Sequence, residues 1–432
     1  MVRAILLYVI VIVAVPIAIF RPFTGLLIYL WISFGRPGDF VWREYKIDYI
    51  VFVAAACLVG YLFSEINKSP IRLKGMVLLL MLWLWLALAS VAAFDPYLAY
   101  PKLWEYSRGF TMAFLTAALT TSEKRVRDIF YVLAVSLGLL GAKGALDGFL
   151  TGFASTLKGP GGMISEQNEY ALALNMAIPI LVWLARIESR KWVRLAFFIM
   201  AIGCAITVVG TWSRSGLLGL IMAGLLLLIF SKRKLIVSII AIGGFLAFLA
   251  VAPRGALQRY STIPTAAESD ASAIGRLQAW DAAIHMTRAH PVLGVGLRNF
   301  VLVFPRYSNA EPRVTHNAIF EMMSETGIPG CMLFLAMVVA TISEMFRLWL
   351  KARGNPETQR LAVYCLIVMT CLIVYLVPNM FINRQDFDLM YQFIAVGAGL
   401  AAVTRKSLVA HKVEEKVLLA EVEMPLWQRA QG

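Results

Sequence analysis

Charge is scarce in this chain of 432 residues: Asp, Glu, Lys and Arg make up 15% of it, against 60% hydrophobic residues, and the mean hydropathy is +0.74. That balance excludes a soluble globule and predicts a protein that is mostly transmembrane helix. Cysteine is also sparse. Cys57, Cys204, Cys331, Cys365 and Cys371 all fall inside apolar runs, which makes them packing residues rather than disulfides or metal ligands. No phosphate-cradling P-loop sequence and no clear metal-binding cluster occurs, so neither a nucleotide nor a metal cofactor is expected. No internal repeat, low-complexity tract or linker divides the chain, and residues 1–432 read as one integral membrane domain.

A net charge of +14 does not imply a nucleic-acid partner, because the cations are spread over short loops instead of being gathered on one folded face. Membrane topology accounts for them. Basic clusters occur at Lys68/Arg72/Lys74, Lys124/Arg125/Arg127, Arg186/Arg190/Lys191/Arg194, Lys232/Arg233/Lys234, Arg347/Lys351/Arg353/Arg360 and Arg405/Lys406, each consecutive pair separated by two apolar segments. The positive-inside rule places all of them on the cytoplasmic face.

With about 20 apolar residues per span, the segments are 49–64, 74–93, 107–121, 127–150, 169–186, 193–211, 215–231, 235–252, 316–349, 359–382 and 386–403. The start, MVRAILLYVIVIVAVPIAIF, reads as a retained signal anchor because more spans follow and no small-residue cleavage site does. The run over 4–34, interrupted at Arg21-Pro22, is either two short spans or one broken, re-entrant unit. The second choice gives about twelve spans with both termini cytoplasmic. Three segments then share the outer face: the long loop 253–315, the short turn around Arg214 and the loop 151–168. The tail 404–432 is a charged cytoplasmic segment.

One absence is local. The loop 253–315 carries Arg254, Arg259, Arg276, Arg288, Arg298, Arg306 and Arg313 but no lysine, and three of the four histidines, His285, His290 and His316, lie in or beside it. Arginine's planar fork suits bidentate contacts to phosphate and carboxylate, whereas a merely solvated loop would mix in lysine. An anionic, phosphate-bearing substrate at a membrane surface is the leading reading, and a loop resting on anionic lipid headgroups is the alternative.

Within the loop, GRLQAWDAAIHMTRAHP predicts a helix with Leu277, Trp280 and Ile284 on one stripe and Asp281, His285 and Arg288 on the next, the latter either a surface charge network or part of a site. Arg276, at the start of that helix, is the stronger anion ligand because a helix amino terminus adds backbone donors. Arg214 lies in a tight turn between two apolar segments, where a charge is costly unless it is used or paired. Asn168 and Glu169, opening a span, could position a substrate, or Asn168 could simply cap the helix. Lys143 and Asp147 are explained by mutual pairing, with Lys143 kept as a phosphate contact. His316, at the rim of a span, is either a general base or an ordinary interfacial residue, and Glu321 and Glu325, on one helix face near it, are either a second base or solvated charges.

The sequence His316-Asn317, nine residues, Gly327, two residues, Gly330 resembles the signature of bacterial O-antigen ligases. SEQNEYALALNMAIPI at 165–180, TWSRSG at 211–216 and GRLQAWDAAIHMTRAHPVLGVGLRNF at 275–300 are similar, in the same order, to recurring segments of the O-antigen ligase and polymerase superfamily. The resemblance covers roughly residues 165 to 350. GLLIYLWISFGRPGDF is also similar to ligase-like proteins of exopolysaccharide gene clusters.

The resemblance implies an all-α polytopic glycosyltransferase of GT-C-like class in the bacterial inner membrane, with a large, partly helical periplasmic loop and its site on that face. Its donor would be a glycan on undecaprenyl diphosphate, its acceptor a sugar hydroxyl of lipid A core, and its reaction metal-independent and inverting. His316 would be the base, Arg214, Arg276, Lys143 and Arg288 would hold the diphosphate, and Asn168, Glu169 and Asn317 would position the acceptor. A protein O-oligosaccharyltransferase or an O-antigen polymerase using the same donor, and a non-enzymatic glycan-lipid flippase or transporter, are the alternatives.

Overall fold

Long apolar runs in a membrane must satisfy their backbone groups internally, which a helix does within one segment. The computed structural model describes residues 2–40, 49–64, 74–231, 234–235 and 271–423, and the regular elements among them are all helical. In chain order the helices are α1 (Val2–Phe20), α2 (Pro22–Gly35), α3 (Tyr49–Phe63), α4 (Lys74–Val91), α5 (Pro96–Leu119), α6 (Glu123–Thr151) and α7 (Gln167–Ile187). They continue with α8 (Lys191–Gly210), α9 (Arg214–Phe230), α10 (Ala271–Ala289), the single turn α11 (Phe300–Val303), α12 (Ala318–Ala352), α13 (Gln359–Asn379) and α14 (Asp388–Glu423).

Among the described residues, α6, α7, α8, α12, α13 and α14 as far as His411 are long and apolar enough to cross a membrane, and α1, α2, α3, α4 and α9 are shorter apolar helices. The run over 4–34 is two helices broken at Arg21, because Pro22 has no N–H to continue the ladder. At ~1.5 Å per residue the 14 residues of α2 rise about 21 Å, short of the ~30 Å hydrocarbon core. Helix α5 begins well before the expected segment 107–121. The expected span over 235–252 lies outside the described residues beyond Leu235, as do residues 253–270 of the long loop. The tail expected from 404 is continuous with α14 through Glu423, and 424–432 lie outside the described residues.

Among the membrane-length helices α7 and α13 are the most enclosed, packing on each other with α6, α8, α9, α12 and α14 around them. The outer helices turn Ile12, Phe52, Leu84, Leu139, Ile199 and Val339 outward, as contact with lipid requires. Small residues set the closest approach. A Cβ on Gly141 of α6 would stand 2.3 Å from Cys204 Sγ of α8, and one on Gly144 would stand 2.5 Å from Thr207 Cγ2.

Side-chain pairs identify the two ends of the bundle. Tyr131 bonds Glu188, Arg405 pairs with Glu344 at 2.6 Å and His411 with Glu357 at 3.1 Å, which gathers several of the basic clusters at one end. At the opposite end lie the loops before α7, α9, α12 and α14, together with α10 and α11. These last two have a core of their own, Ala279, Ala282, Ala283 and Met286 against Val295, Phe300, Val303 and Phe304. Of the stripe expected from the pattern, Trp280 packs, stacking on Phe320. The main packing face of α10 is its alanine face, and Leu277 is 49% exposed.

Candidate active site

The order Thr315-His316-Asn317 at the start of α12 determines how the histidine is held. Asn317 is the N-cap: its Oδ1 accepts the N–H groups of Ile319 (2.9 Å) and Phe320 (3.2 Å), and its Nδ2 donates to the Met380 carbonyl across the bundle (2.9 Å). Thr315 Oγ1 accepts the Asn317 N–H (3.2 Å) and donates to the Glu321 carboxylate (2.9 Å). Between these two fixed neighbours His316 adopts φ +48°, a left-handed conformation that histidine tolerates better than most residues. It is only partly buried and lies outside the helix.

The spacing of nine residues and then glycine has a structural reason. Residues 318–326 form a short rigid helix, and α12 kinks at Gly327, where φ is +72° and a Cβ would stand 2.0 Å from the Val292 carbonyl oxygen. Four backbone groups at the kink find partners outside the helix. The Ser324 and Glu325 carbonyls accept from Val295 and Gly296 (both 2.9 Å), Ile328 N–H donates to Pro291 O (2.9 Å), and Trp85 Nε1 donates to Thr326 O (2.8 Å). The GVG turn after α10 is thereby docked on the kink, which anchors α10 relative to His316.

Helix α10 is also tied to the histidine turn directly. Trp280 Nε1 donates to Thr315 O (2.9 Å), and its ring stacks on Phe320 at 5.4 Å. Arg276 lies one turn earlier on the same face as Trp280. Arg313, three residues before His316, lays its guanidinium over Gly275, where a Cβ would meet Nη1 at 1.7 Å. Burial pulls the His316 imidazole below the usual histidine value, and the cations Arg276 and Arg313 add to that. The neutral form with a free lone pair is favoured, as a proton acceptor needs.

Two further loops close the site. Asn168 Oδ1 accepts from Ser213 Oγ (2.7 Å), and Ser213 caps α9, whose first residue is Arg214. Asn168 is therefore not the cap of α7; that position is Glu166. Next to it, Glu169 pairs with Arg384 from the α13–α14 loop (3.1 Å). The same loop supplies the Met380 carbonyl to Asn317, and Asn383 and Gln385 donate to Glu321 (both 3.3 Å). Five segments thus converge: 168–169, 213–214, 276–280, 313–321 and 380–386.

The expected residues divide accordingly. His316, Arg276, Asn317, Arg214, Asn168 and Glu169 come to one end of the bundle through this chain of contacts. Lys143 is on α6, partly exposed and bonded to Asp147 at 2.5 Å. Arg288 is exposed, twelve residues and therefore about 18 Å along α10 from Arg276, too far to grip the same diphosphate. His285 faces Asp281 on the exposed side of α10 at 3.4 Å, as a surface pair. Reading the sequence missed Arg384, Gln385 and Trp280 as site residues. Arg384 lies in a short polar break between two spans, the same signal that pointed to Arg214. Among the described residues no three His, Cys, Asp or Glu are grouped to hold a metal ion.

Residues 195–335 match the family model described as O-antigen ligase, and residues 2–189 match a family of unknown function, DUF5935. No curated protein matches the chain. Arg214, Arg276 and His316 fall in the first match, Asn168 and Glu169 in the second, and Arg384 in neither. With its membrane-length helices, the chain carries over residues 195–335 a segment similar to the O-antigen ligase family, and that segment encloses His316, Arg214 and Arg276.

Proposed function

We propose that this protein is an O-antigen ligase of the bacterial inner membrane that transfers a glycan from undecaprenyl diphosphate to a sugar hydroxyl of lipid A core on the periplasmic face. The observation that carries the reading is His316 held between Thr315 and Asn317 beside Arg276 and Arg313, in an environment that keeps the imidazole neutral. In the proposed reaction His316 takes the proton of the acceptor hydroxyl as its oxygen attacks the anomeric carbon. The bond from that carbon to the diphosphate breaks, and undecaprenyl diphosphate leaves with the electron pair. Attack opposite the leaving group inverts the anomeric centre.

Negative charge grows on the diphosphate as the bond breaks. Arg276 and Arg214 are placed to stabilise it, a role that preorganised cations fill without metal assistance. In this reading Lys143 and Arg288 would meet the polyprenyl diphosphate or membrane lipid before it is seated. Asn317 serves by fixing His316, since its side chain is committed to the cap and to Met380.

The test is transfer in detergent by purified protein with lipid-linked glycan and lipid A core, in EDTA and without ATP. Product is expected with the wild type and none with His316→Asn, which retains a residue suited to φ +48°. Loss of transfer on chelation and its return with a divalent metal would overturn the metal-free mechanism. Elongation of a second lipid-linked glycan in place of lipid A core would make the chain a polymerase of the same superfamily.

A further inference from the structure

Arg384 is fixed from two directions, and its target carries an unmet acceptor. Its backbone N–H donates to Asn379 Oδ1 (3.0 Å), and its carbonyl accepts from Asn379 Nδ2 (3.2 Å) and Tyr375 Oη (2.8 Å), so the last turn of α13 holds the residue in place. Its Nε donates to Glu169 Oε1 (3.1 Å), and its Nη1 is 3.6 Å from Asp386. The guanidinium therefore takes one oxygen of Glu169. The other, Oε2, is shielded from solvent and accepts no hydrogen bond.

A buried carboxylate oxygen left without a donor is costly, and it persists in a native structure where something else supplies the donor. Glu169 sits beside Asn168, whose Oδ1 is bonded to the Ser213 cap of the Arg214 helix. The unmet oxygen thus belongs to the residue next to the one that is tied to the segment proposed to bind the diphosphate. A ligand that approaches there and brings a hydroxyl, not a phosphate, matches it: an anion would be repelled by Glu169, whereas a sugar hydroxyl donates to it.

We propose that Arg384 is a positioning residue that fixes the Glu169 carboxylate through Oε1, so that Oε2 accepts a hydrogen bond from a hydroxyl of the acceptor sugar. The pair sets acceptor recognition and leaves donor binding to the other arginines. This inference rests on the ligase reading for the identity of the acceptor, and the test separates the two.

In full-length protein, KM for lipid A core and KM for the lipid-linked donor are measured separately for Arg384→Gln, Arg384→Lys and Glu169→Gln, with thermal melting to confirm folding. Arg384→Gln and Glu169→Gln should each raise the acceptor KM about tenfold or more, the worth of a charge-assisted hydrogen bond, with the donor KM within about twofold. The double variant should lose little beyond either single one, because both remove the same contact. Arg384→Lys should recover part of the loss.

An unchanged acceptor KM in Glu169→Gln, or equal rises for donor and acceptor, would overturn the assignment and leave the pair a structural tie. If Arg384→Gln does not fold, the isosteric Glu169→Gln carries the same decision. Should wild-type protein transfer nothing to lipid A core, the ligase reading fails by itself. Direct binding of lipid A core to wild type and Glu169→Gln then decides the inference alone, and equal binding refutes it.

Discussion

Asn317 is the residue whose energetic role can be worked most directly from the structure. Replacing it with alanine removes an N-cap acceptor that serves two backbone donors, at 2.9 and 3.2 Å, and a donor to the Met380 carbonyl at 2.9 Å. Loss of an N-cap costs about 1 kcal/mol. The part-buried Met380 carbonyl left without its partner adds about 1 to 3 kcal/mol. The sum, about 2 to 4 kcal/mol, is large for one substitution. Asn317→Ser keeps the cap and loses only the tie to Met380, so it should cost roughly 1 to 3 kcal/mol. The assay is denaturant unfolding in micelles followed by tryptophan fluorescence, with transfer measured on the same samples. The expected stability order is wild type, then Ser, then Ala, and the transfer rate should fall in the same order because Asn317 holds the next residue, His316. If both variants unfold within about 0.5 kcal/mol of the wild type, the cap and the cross-bundle tie carry no energy and the positioning argument fails.

Further predictions concern pH, the kink and the arginine over Gly275. Because burial and the cations Arg276 and Arg313 lower the His316 pKa, transfer should hold as pH falls past the ordinary histidine value and decline only once the lowered pKa is reached. Arg313→Ala removes one of those cations, so the acidic limb of the rate profile should move to higher pH; a shift downward, or none, would contradict the electrostatic assignment. Gly327→Ala places a side chain at φ +72° and against the Val292 carbonyl, and should cost more than about 1 kcal/mol in the same unfolding assay. Gly275→Ala meets only the end of the Arg313 side chain, so it should leave stability nearly unchanged but displace that cation, moving the acidic limb in the same direction as Arg313→Ala. A cysteine at Asn309, in a cysteine-free background, should react with an impermeant thiol reagent in intact spheroplasts; labelling only after membrane disruption would reverse the proposed topology.

The sequence alone determined what depends on composition and local order. An excess of apolar residues with little charge forces a helical membrane protein, and the helix boundaries from α6 to α9 follow the apolar runs to within a few residues because each run is long enough to decide its own ends. The motif at His316 was legible for the same reason: the N-cap, the short helix and the kink at Gly327 are consecutive in the chain.

Tertiary structure decided what depends on distant segments meeting. Arg384, far from any matched motif, reaches Glu169 because the α13–α14 loop folds back over α7, and no local pattern records that approach. Arg276 and Arg288 carry equal chemistry in the sequence, yet only Arg276 lies on the turn that Trp280 ties to Thr315. The main packing face of α10 is its alanine face, which the spacing of its large apolar residues does not record. The space beneath the helix is filled by Phe300 and Phe304, and three alanines with Met286 pack against them. Local sequence specifies which segments become helices and where they break, and long-range packing selects which of several similar side chains share a site.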